Sequence, residues 1–431
     1  EEKDRPAAPT RNDKPSTERR EVGKLTSKGE ILVRRSKDGA WERVPINGSV
    51  SSGEPLVSLP GYRSELRLNS DVNLLLWGSV PELRLPLLES AVTLHRAPTD
   101  LDADLTLQRG RVYLTNRKEK GSARVRLRFW KEEVWDVTLD EPGGMIGAEL
   151  FSGYPPDGKF SSGAEPVVVF VLYVAKGKAE VKAGFNTFGD LKAPPGRALF
   201  YWNNKGKLEG PLHQEKAIPD WDPTITLPRE RRDLVAAREE LAARLARRNT
   251  KVETVLQEVL ASDKAADRAL AVRGLAAIDR AGALVDALGD AEHPDVRQEA
   301  FLALRNWIGR GKEQAARLYD RKKKSGILAD KRFRADEAET ILDLLDGIPE
   351  EALQQPELYE ALIAYLKHRR LEVRELASRH LRTLVPEGRK IKYDAAASKE
   401  QIARGYEEWK KLIPSGKLPP APPPKPERDK K

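Results

Sequence analysis

Alternating apolar and polar positions dominate the first half of the chain. Between residues 123 and 129, Val125, Leu127 and Phe129 fall on one face of a strand, while arginines fall on the other. Residues 64–68 alternate in the same way, and a period of two is typical of a strand with one buried and one solvated face. Turns rich in Gly, Pro, Asn and Asp separate such runs, without a helical pattern between them. The pattern predicts an antiparallel all-β half, a sandwich or a roll.

A different pattern begins after residues 219–228. Beyond this point proline and glycine become scarce, and Ala, Leu, Arg and Glu recur with a period of 3.6 residues. The periodicity predicts one long helix over 229–248 and a series of shorter helices after it. The chain is therefore predicted to be a multidomain α and β protein, with an all-β half followed by an all-α half.

These patterns divide the chain into six predicted segments. They are an extended or disordered tail at 1–28, a first β domain at 29–120, a second β segment at 121–212, a linker at 213–228, a helical domain at 229–413 and a Pro/Lys-rich tail at 414–431. The tails are predicted from proline mixed with charged residues, a composition that buries too little apolar surface to fold alone.

Two of the predicted helices share a sequence template. One reads Pro-Asp-Val-Arg-Gln-Glu-Ala from Pro294, the other reads Leu-Glu-Val-Arg-Glu-Leu-Ala from Leu371, and a looser copy begins at Ala266. The template resembles the second helix of HEAT or armadillo-type repeats, in which alanines allow close stacking and an arginine bonds a neighbouring repeat. The resemblance implies a HEAT-like solenoid that presents an extended surface to proteins, with an ordinary helical bundle as the alternative. The repeat-stacking residues that it implies are Arg297, Ala300, Leu304, Arg374, Ala377 and Leu381.

The β half resembles the FecR domain of bacterial envelope proteins in the order of its motifs. Those motifs are a strand at 29–34, a hairpin arm at 41–44, the turn glycine Gly53, and strands at 64–68, 72–77 and 107–114. Members of that family are periplasmic parts of anti-sigma signalling or accessory domains on envelope proteins, so the resemblance implies a place outside the cytoplasm. The candidate anchors of this β domain are Trp41, Leu66, Leu68, Trp77, Val112 and Tyr113.

Composition narrows the classes of partner. The 76 basic and 67 acidic side chains give a net charge of +9, but both signs are interleaved, which is typical of an ordinary soluble surface. Nucleic-acid-binding proteins concentrate basic residues on one face, whereas the dense basic runs here are as short as 321–324. The longest apolar run, 167–175, has nine residues and is too short to span a bilayer, which takes roughly 18. Nucleic acid and a membrane span are therefore not expected.

The start of the chain bears on its location. The chain begins at Glu1, and Met145 is its only methionine. This predicts that a signal peptide or an anchor has been removed, or that the start has been trimmed. Together with the FecR resemblance, it predicts a protein of the periplasm, cell envelope or cell surface.

The reactive residues form no recognisable catalytic or metal-binding motif. Cysteine is absent, and the five histidines lack the spacing of metal ligands. The glycines at 143–147 are not followed by the Lys-Ser/Thr of a phosphate loop, and a β-bulge or corner is expected there. Asp100, Asp102 and Asp104 lack the final glutamate of a calcium loop. The sequence therefore predicts a non-enzyme without cofactor or metal.

Two interaction domains without a chemical site predict a scaffold or assembly protein of the cell envelope. Its expected partners are other proteins, including copies of itself. One alternative is a FecR-like periplasmic sensor that couples an envelope partner to sigma-factor signalling. The other is a binder of polyanions, nucleic acid or acidic polysaccharide, through basic strand faces such as Arg124, Arg126 and Arg128.

Overall fold

The computed structural model describes residues 19–78, 89–154, 160, 163–193, 197–214, 232–247 and 251–420. In this part of the chain a β-rich region of sixteen strands precedes an all-helical region of eleven α-helices. The order of the two regions is the one that the two periodicities predict.

The sixteen strands form two hydrogen-bonded sheets that share their two longest strands. The strands are β1 Glu21–Leu25, β2 Leu32–Arg35, β3 Trp41–Arg43, β4 Ser49–Ser51, β5 Pro55–Ser58, β6 Arg63–Leu68, β7 Val72–Trp77, β8 Ser90–His95, β9 Ala103–Asn116, β10 Ala123–Phe129, β11 Glu133–Leu139, β12 Met145–Gly153, β13 Val167–Ala183, β14 Asn186–Ala193, β15 Arg197–Asn203 and β16 Leu208–Gln214. The first sheet has the order β4-β1-β6-β7-β9-β12-β13-β15-β16. The second has the order β3-β2-β5-β8-β9-β10-β11-β13-β14.

Strand β9 passes from the second sheet to the first at Gly110. Its residues up to Arg109 pair with β8, and from Gly110 onward it pairs with β12. Gly110 has a φ of +92°, and a Cβ at this position would lie 2.3 Å from the carbonyl oxygen of Glu89. Only glycine adopts this backbone conformation without strain and leaves room for the neighbouring strand.

Strands β9 and β10 pair in parallel, so the prediction of a wholly antiparallel β half is wrong at this point. Because β9 turns back at Gly110, its last residue, Asn116, hydrogen-bonds the carbonyl of Gly121 at 2.9 Å. The residue before its first, Asp102, accepts a hydrogen bond from the backbone nitrogen of Arg124. Both ends of β9 therefore lie near the start of β10, and a short loop suffices for a parallel pairing. The usual long crossover is not needed.

One hydrophobic cluster joins the two predicted β segments. It includes Leu66 and Val112 from the first segment, and Leu127 and Phe170 from the second, all fully buried. The rings of Phe129 and Phe170 stack within it with centroids 3.7 Å apart. Residues from both sheets contribute to this cluster, so the two β segments share a core.

Within the predicted extended or disordered tail over 1–28, residues 21–25 are ordered. These residues form β1, which pairs with β4 and β6, and Leu25 is buried. The sequence EVGKL has only two apolar residues in a charged context, which is why the pattern gave no strand signal. Residues 1–18, most of the predicted linker at 213–228, and residues 421–431 of the second tail lie outside the described residues.

The eleven helices follow the predicted helical half closely. They are α1 Arg232–Leu245, α2 Val252–Leu260, α3 Ala265–Ala277, α4 Ala281–Leu288, α5 Pro294–Ile308, α6 Gln314–Leu318, α7 Ile327–Asp330, α8 Ala335–Asp346, α9 Pro356–Tyr365, α10 Leu371–Leu384 and α11 Lys399–Leu412. Short 3-10 helices at Glu350–Gln354 and Pro386–Lys390 precede and follow the α9–α10 pair. Pro294 and Pro356 open their helices at the first turn, where the missing N–H costs nothing.

Helices α3, α5 and α10 run in the same direction and are linked through side chains, with α5 in the middle. Arg268 and Arg273 of α3 bind Asp295 and Glu299 of α5, in the same order along both helices. On the other side of α5, Arg297 binds Glu375 of α10, and the ring of Phe301 lies under Arg379 of α10. The matching order of these contacts identifies a parallel row of three helices.

Candidate interaction surfaces

The β-rich and helical regions share a second hydrophobic cluster. It unites Val33, Trp41 and Val57 of the second sheet with Leu241 of α1 and Leu256 of α2. All five side chains are buried. The outer face of this sheet is therefore covered by helices at β2, β3 and β5, and the two regions pack as one body there.

A buried ionic group lies at the same boundary. Glu89, from the β-rich region, accepts hydrogen bonds from Arg109 of β9 and from Arg310 after α5, the latter at 2.6 Å. Arg310 also donates to the carbonyl of Ala276, and Arg109 donates to the carbonyl of Ala277. Both arginines thus bond the end of α3 as well as Glu89.

Burial and charge act in opposite directions on this group. Burial raises the pKa of Glu89, but Arg310 and Arg109 lower it further than burial raises it, so its pKa falls below the ordinary value. Burial lowers the pKa of Arg310 to about 10. The carboxylate of Glu89 and the guanidinium of Arg310 are therefore charged at neutral pH, and each depends on the other for a charge–charge contact that compensates its lost hydration.

A second set of polar contacts fixes α1 on the β-rich region. The hydroxyl of Tyr62 donates to the carbonyl of Arg238 at 2.6 Å, and the guanidinium of Arg238 lies 5.0 Å from the centre of the Tyr62 ring. Arg43 donates to the carbonyl of Ala242 one turn further along α1. Helix α1 is thus bound at two successive turns.

The template arginines of the helical region have the same environment in all three copies. Arg268, Arg297 and Arg374 each donate back to a backbone carbonyl just before their own helix, those of Ser262, Asp290 and His368. Each also bonds a residue later in the chain. Arg268 binds Asp295, Arg297 binds Glu375 and Asp394, and Arg374 donates to the carbonyl of Ala395. One side chain per copy therefore bonds the start of its own helix to a segment that comes later in the chain.

The predicted small and apolar stacking residues belong to the buried cluster of the helical region. Ala300 and Leu304 of α5, and Ala377 and Leu381 of α10, have no exposed surface. Arg297 is 1% exposed although it carries a charge. Its partner Glu375 is 78 residues away in the sequence, and Asp394 is 97 residues away.

The candidate anchors of the β domain fall into three different places. Trp41 belongs to the boundary with the helices, whereas Leu66, Leu68 and Val112 belong to the cluster shared by the two sheets. Trp77 and Tyr113 belong to neither.

Trp77 and Tyr113 form a separate aromatic group with Tyr173. The ring centres are 5.9 Å apart for Trp77 and Tyr113 and 6.2 Å apart for Tyr113 and Tyr173. A buried ion pair between Arg111 and Glu149 lies on the same face of the first sheet. All five residues are at most 5% exposed.

The basic strand face of β10 is largely neutralised by its neighbours. Arg126 binds Asp136 through two nitrogens, at 2.6 and 2.8 Å. Arg128 binds Asp104 in the same way, at 2.7 and 2.9 Å. Bidentate pairs of this kind hold the guanidinium in a fixed geometry, which leaves it less available to an added polyanion.

The histidine environments are structural. Four histidines have described side chains, and each bonds a neighbouring polar group. His95 bonds Thr106 and His293 bonds Asp290. His368 accepts from the backbone nitrogen of Arg370, and His380 donates to the carbonyl of Leu344. Among the residues that the structure describes, no group of three or more His, Cys, Asp or Glu side chains has an arrangement that could hold a metal ion. None of the described helices is both long and apolar enough to cross a membrane.

Compared with known proteins, the chain matches no protein-family model and has no significant match among curated proteins or solved structures. The FecR and HEAT resemblances therefore stay predictions.

Sequence reasoning missed the ionic group around Glu89. Its three members lie in a loop, in a strand and beyond a helix, and 221 residues separate Glu89 from Arg310. The only local signal was Gly110, whose bend brings β9 beside Glu89. A single sequence does not reveal such long-range pairs.

Proposed function

We propose that this protein is a non-enzymatic, extracytoplasmic scaffold of the bacterial envelope that acts through protein–protein contacts. In this proposal the β half is a FecR-like sandwich and the helical half is a HEAT-like solenoid. The cluster shared by the two sheets supports the sandwich, and the parallel row of α3, α5 and α10 supports the solenoid.

The observation that carries the proposal is the boundary between the two regions. A scaffold has to hold its binding surfaces at a fixed distance and angle. The shared hydrophobic cluster and the buried ionic group of Glu89, Arg109 and Arg310 provide a fixed connection. A flexible linker between independent domains would not do so, because domains joined in that way move relative to each other by default.

The partners in this proposal are other proteins, including further copies of the chain. Oligomers of one chain are common among structural proteins, and a stable interface between copies buries at least about 1,000 Å² in total. The surfaces that remain for such contacts include the helix faces directed away from the boundary and the outer face of the second sheet at β13, where Lys178, Glu180 and Lys182 are exposed.

The proposal is tested by tagging the full-length chain in its native cell, cross-linking in place and fractionating the cell. A scaffold is expected in the envelope or periplasmic fraction, in a complex of defined size that exceeds the monomer. Size-exclusion chromatography with light scattering on the purified chain, at low and at high salt, then shows whether copies of the chain suffice. A free monomer in the cytoplasmic fraction would contradict the proposal.

A further inference from the structure

An aromatic ring flanked by two arginines lies on the helical row. The guanidinium carbon of Arg379 is 4.2 Å from the ring centre of Phe301, and that of Arg305 is 6.0 Å away. Phe301 and Arg305 are one turn apart on α5, whereas Arg379 comes from α10. Both cations are thus held at one place by a contact between two helices.

Neither arginine has a carboxylate at ion-pair distance among the described residues, although acidic side chains lie nearby. Both oxygens of Glu299 already accept hydrogen bonds from Nε and one terminal nitrogen of Arg273, each at 2.9 Å. Glu375 is bound by Arg297. Asp346 accepts a hydrogen bond from the backbone nitrogen of Phe160. Two positive charges therefore remain in excess at this place.

These charges are partly dehydrated. Burial lowers the pKa of Arg305 and of Arg379 below their ordinary value, with smaller contributions from nearby charges. A guanidinium that has lost part of its hydration, and has no acidic partner to compensate, is unfavourable in the free protein. An added anion at this place would remove that penalty.

An exposed apolar side chain lies about one turn before Arg305 on α5. Leu302 is 44% exposed, one of few large apolar residues so exposed among those described. It precedes Arg305 by three residues on α5, and side chains at this spacing lie on the same side of a helix. Phe301, Leu302, Arg305 and Arg379 together are called the Phe301 surface below.

We propose that the Phe301 surface binds an acidic peptide segment of a partner protein. Carboxylates of the segment bind Arg305 and Arg379, and an aliphatic side chain beside them packs on Leu302. Planar guanidinium groups suit carboxylates because they donate two parallel hydrogen bonds. The inference rests on the proposed function, since it names the class of partner that a scaffold of this kind would hold.

A peptide fits this surface better than a nucleic acid does. Continuous phosphate backbones are bound by stripes of basic side chains along a surface. Here two arginines lie among Glu299, Glu375 and Asp346, and those carboxylates would repel a polyanion that extends beyond the arginines. A short segment with few negative charges avoids that repulsion.

The probe is a phage-displayed library of random peptides, about 16 residues long, selected on the immobilised full-length chain. The expected peptides contain two or more Asp or Glu residues next to Leu, Ile or Val. A selected peptide is then synthesised with a fluorescent label, and its dissociation constant is measured by anisotropy. R305Q and R379Q should each weaken binding by about tenfold or more, because each leaves a carboxylate without its partner.

Two further variants separate binding from folding. R404Q removes an exposed arginine of α11 that has no ion pair among the described residues, and it should leave the affinity unchanged. R379K keeps the positive charge and should retain part of the affinity even if R379Q folds poorly. The melting temperature of every variant is measured in parallel. A variant that binds weakly while melting normally supports a role in binding.

The inference is overturned if the selected peptides are not acidic, or if R305Q and R379Q bind them as tightly as the unaltered chain. If a nucleic acid with the same number of negative charges displaces the selected peptide, the Phe301 surface is a site for polyanions and the peptide proposal is wrong. Loss of the peptide site while the cross-linked envelope complex persists would remove only this inference. If no envelope complex is found but the peptide still binds, the scaffold proposal fails and the peptide-binding site stands.

Discussion

At the scale of single residues, large side chains lie directly on glycines that leave no space for a Cβ. The ring of Trp409 covers Gly388, and a Cβ built on this glycine would lie 1.9 Å from the ring. Trp409 itself has no exposed surface. The 3-10 helix Pro386–Lys390 and helix α11 are therefore held together by one aromatic contact that depends on a missing methyl group.

We expect Gly388→Ala to destabilise the protein by about 1–3 kcal/mol, because the ring has to move out of a well-packed site. Urea unfolding followed by Trp fluorescence measures the change. Gly282→Ala is the matched control, since its Cβ meets the flexible end of Lys331 at 3.3 Å and a methyl group of Ile327 at an ordinary 3.8 Å. Equal stabilities of the two variants would show that the contact between Gly388 and Trp409 is not tight.

His380 makes stability depend on pH. Burial lowers its pKa below 6.5, the hydrogen bond to Leu344 opposes this, and Arg305 and Arg379 lower it further. Because the carbonyl of Leu344 can only accept, Nε2 carries the proton in the neutral ring. The folded state thus binds a second proton less readily than the unfolded state does. The contribution of His380 is complete above pH 6.5 and is lost as the pH falls below that value.

We expect the urea midpoint to decrease between about pH 7.5 and about pH 5.5, and less so in His380→Gln. Glutamine keeps a donor for Leu344 but does not titrate. A smaller pH dependence remains in the variant, because burial also lowers the pKa of His95 and His368. Identical pH dependence in both proteins would exclude His380 as a contributor.

At the scale of elements, much of the helical region follows from its sequence. The template predicted Arg297 and Arg374 as stacking residues, and the structure places both between elements. The sequence did not indicate their partners, because Glu375 and Asp394 come from distant segments. It also did not indicate that β9 changes sheets, because the bend at Gly110 depends on how closely Glu89 approaches.

Arg297→Met should destabilise the protein by about 3 kcal/mol, near the lower end of the range for a broken buried pair. The arginine is buried, but its partners Glu375 and Asp394 keep some access to solvent, which limits the cost of leaving them alone. Arg321→Met is the control, because Arg321 and Asp343 form an exposed pair worth less than about 1 kcal/mol. Equal changes in the two variants would contradict a special role for Arg297.

At the scale of the whole molecule, the boundary between the regions decides whether the chain behaves as one unit. The hydrophobic cluster at the boundary extends from Ile31 in the β-rich region to Ile413 after the last helix. The sequence pattern predicts a linker at 213–228 between the β half and the helical domain, because a change of periodicity indicates where one kind of structure ends. It does not show whether the two kinds of structure pack on each other, since apolar residues at the boundary belong to the same patterns as those inside each half.

Glu89→Gln tests this cooperativity. The unaltered chain should unfold in a single calorimetric transition, since neither region can separate without exposing the shared cluster and the ionic group. Glutamine keeps the shape of Glu89 but removes the charge that Arg109 and Arg310 share. We expect a loss of about 3–5 kcal/mol and a transition that broadens or divides in two.

Glu165→Gln provides the matched control for that experiment. Glu165 binds Lys131 at 2.6 Å and lies 3.8 Å from Lys312, so it crosses the same boundary, but it does so at the surface. Its loss should leave a single transition at nearly the same temperature, because water screens an exposed pair. The unaltered chain could instead unfold in two steps, with neither transition temperature changed by Glu89→Gln. The two regions would then be independent, and the fixed connection on which the scaffold proposal depends would not exist. A single transition that only Glu89→Gln divides would instead locate the connection between the regions in the buried ionic group.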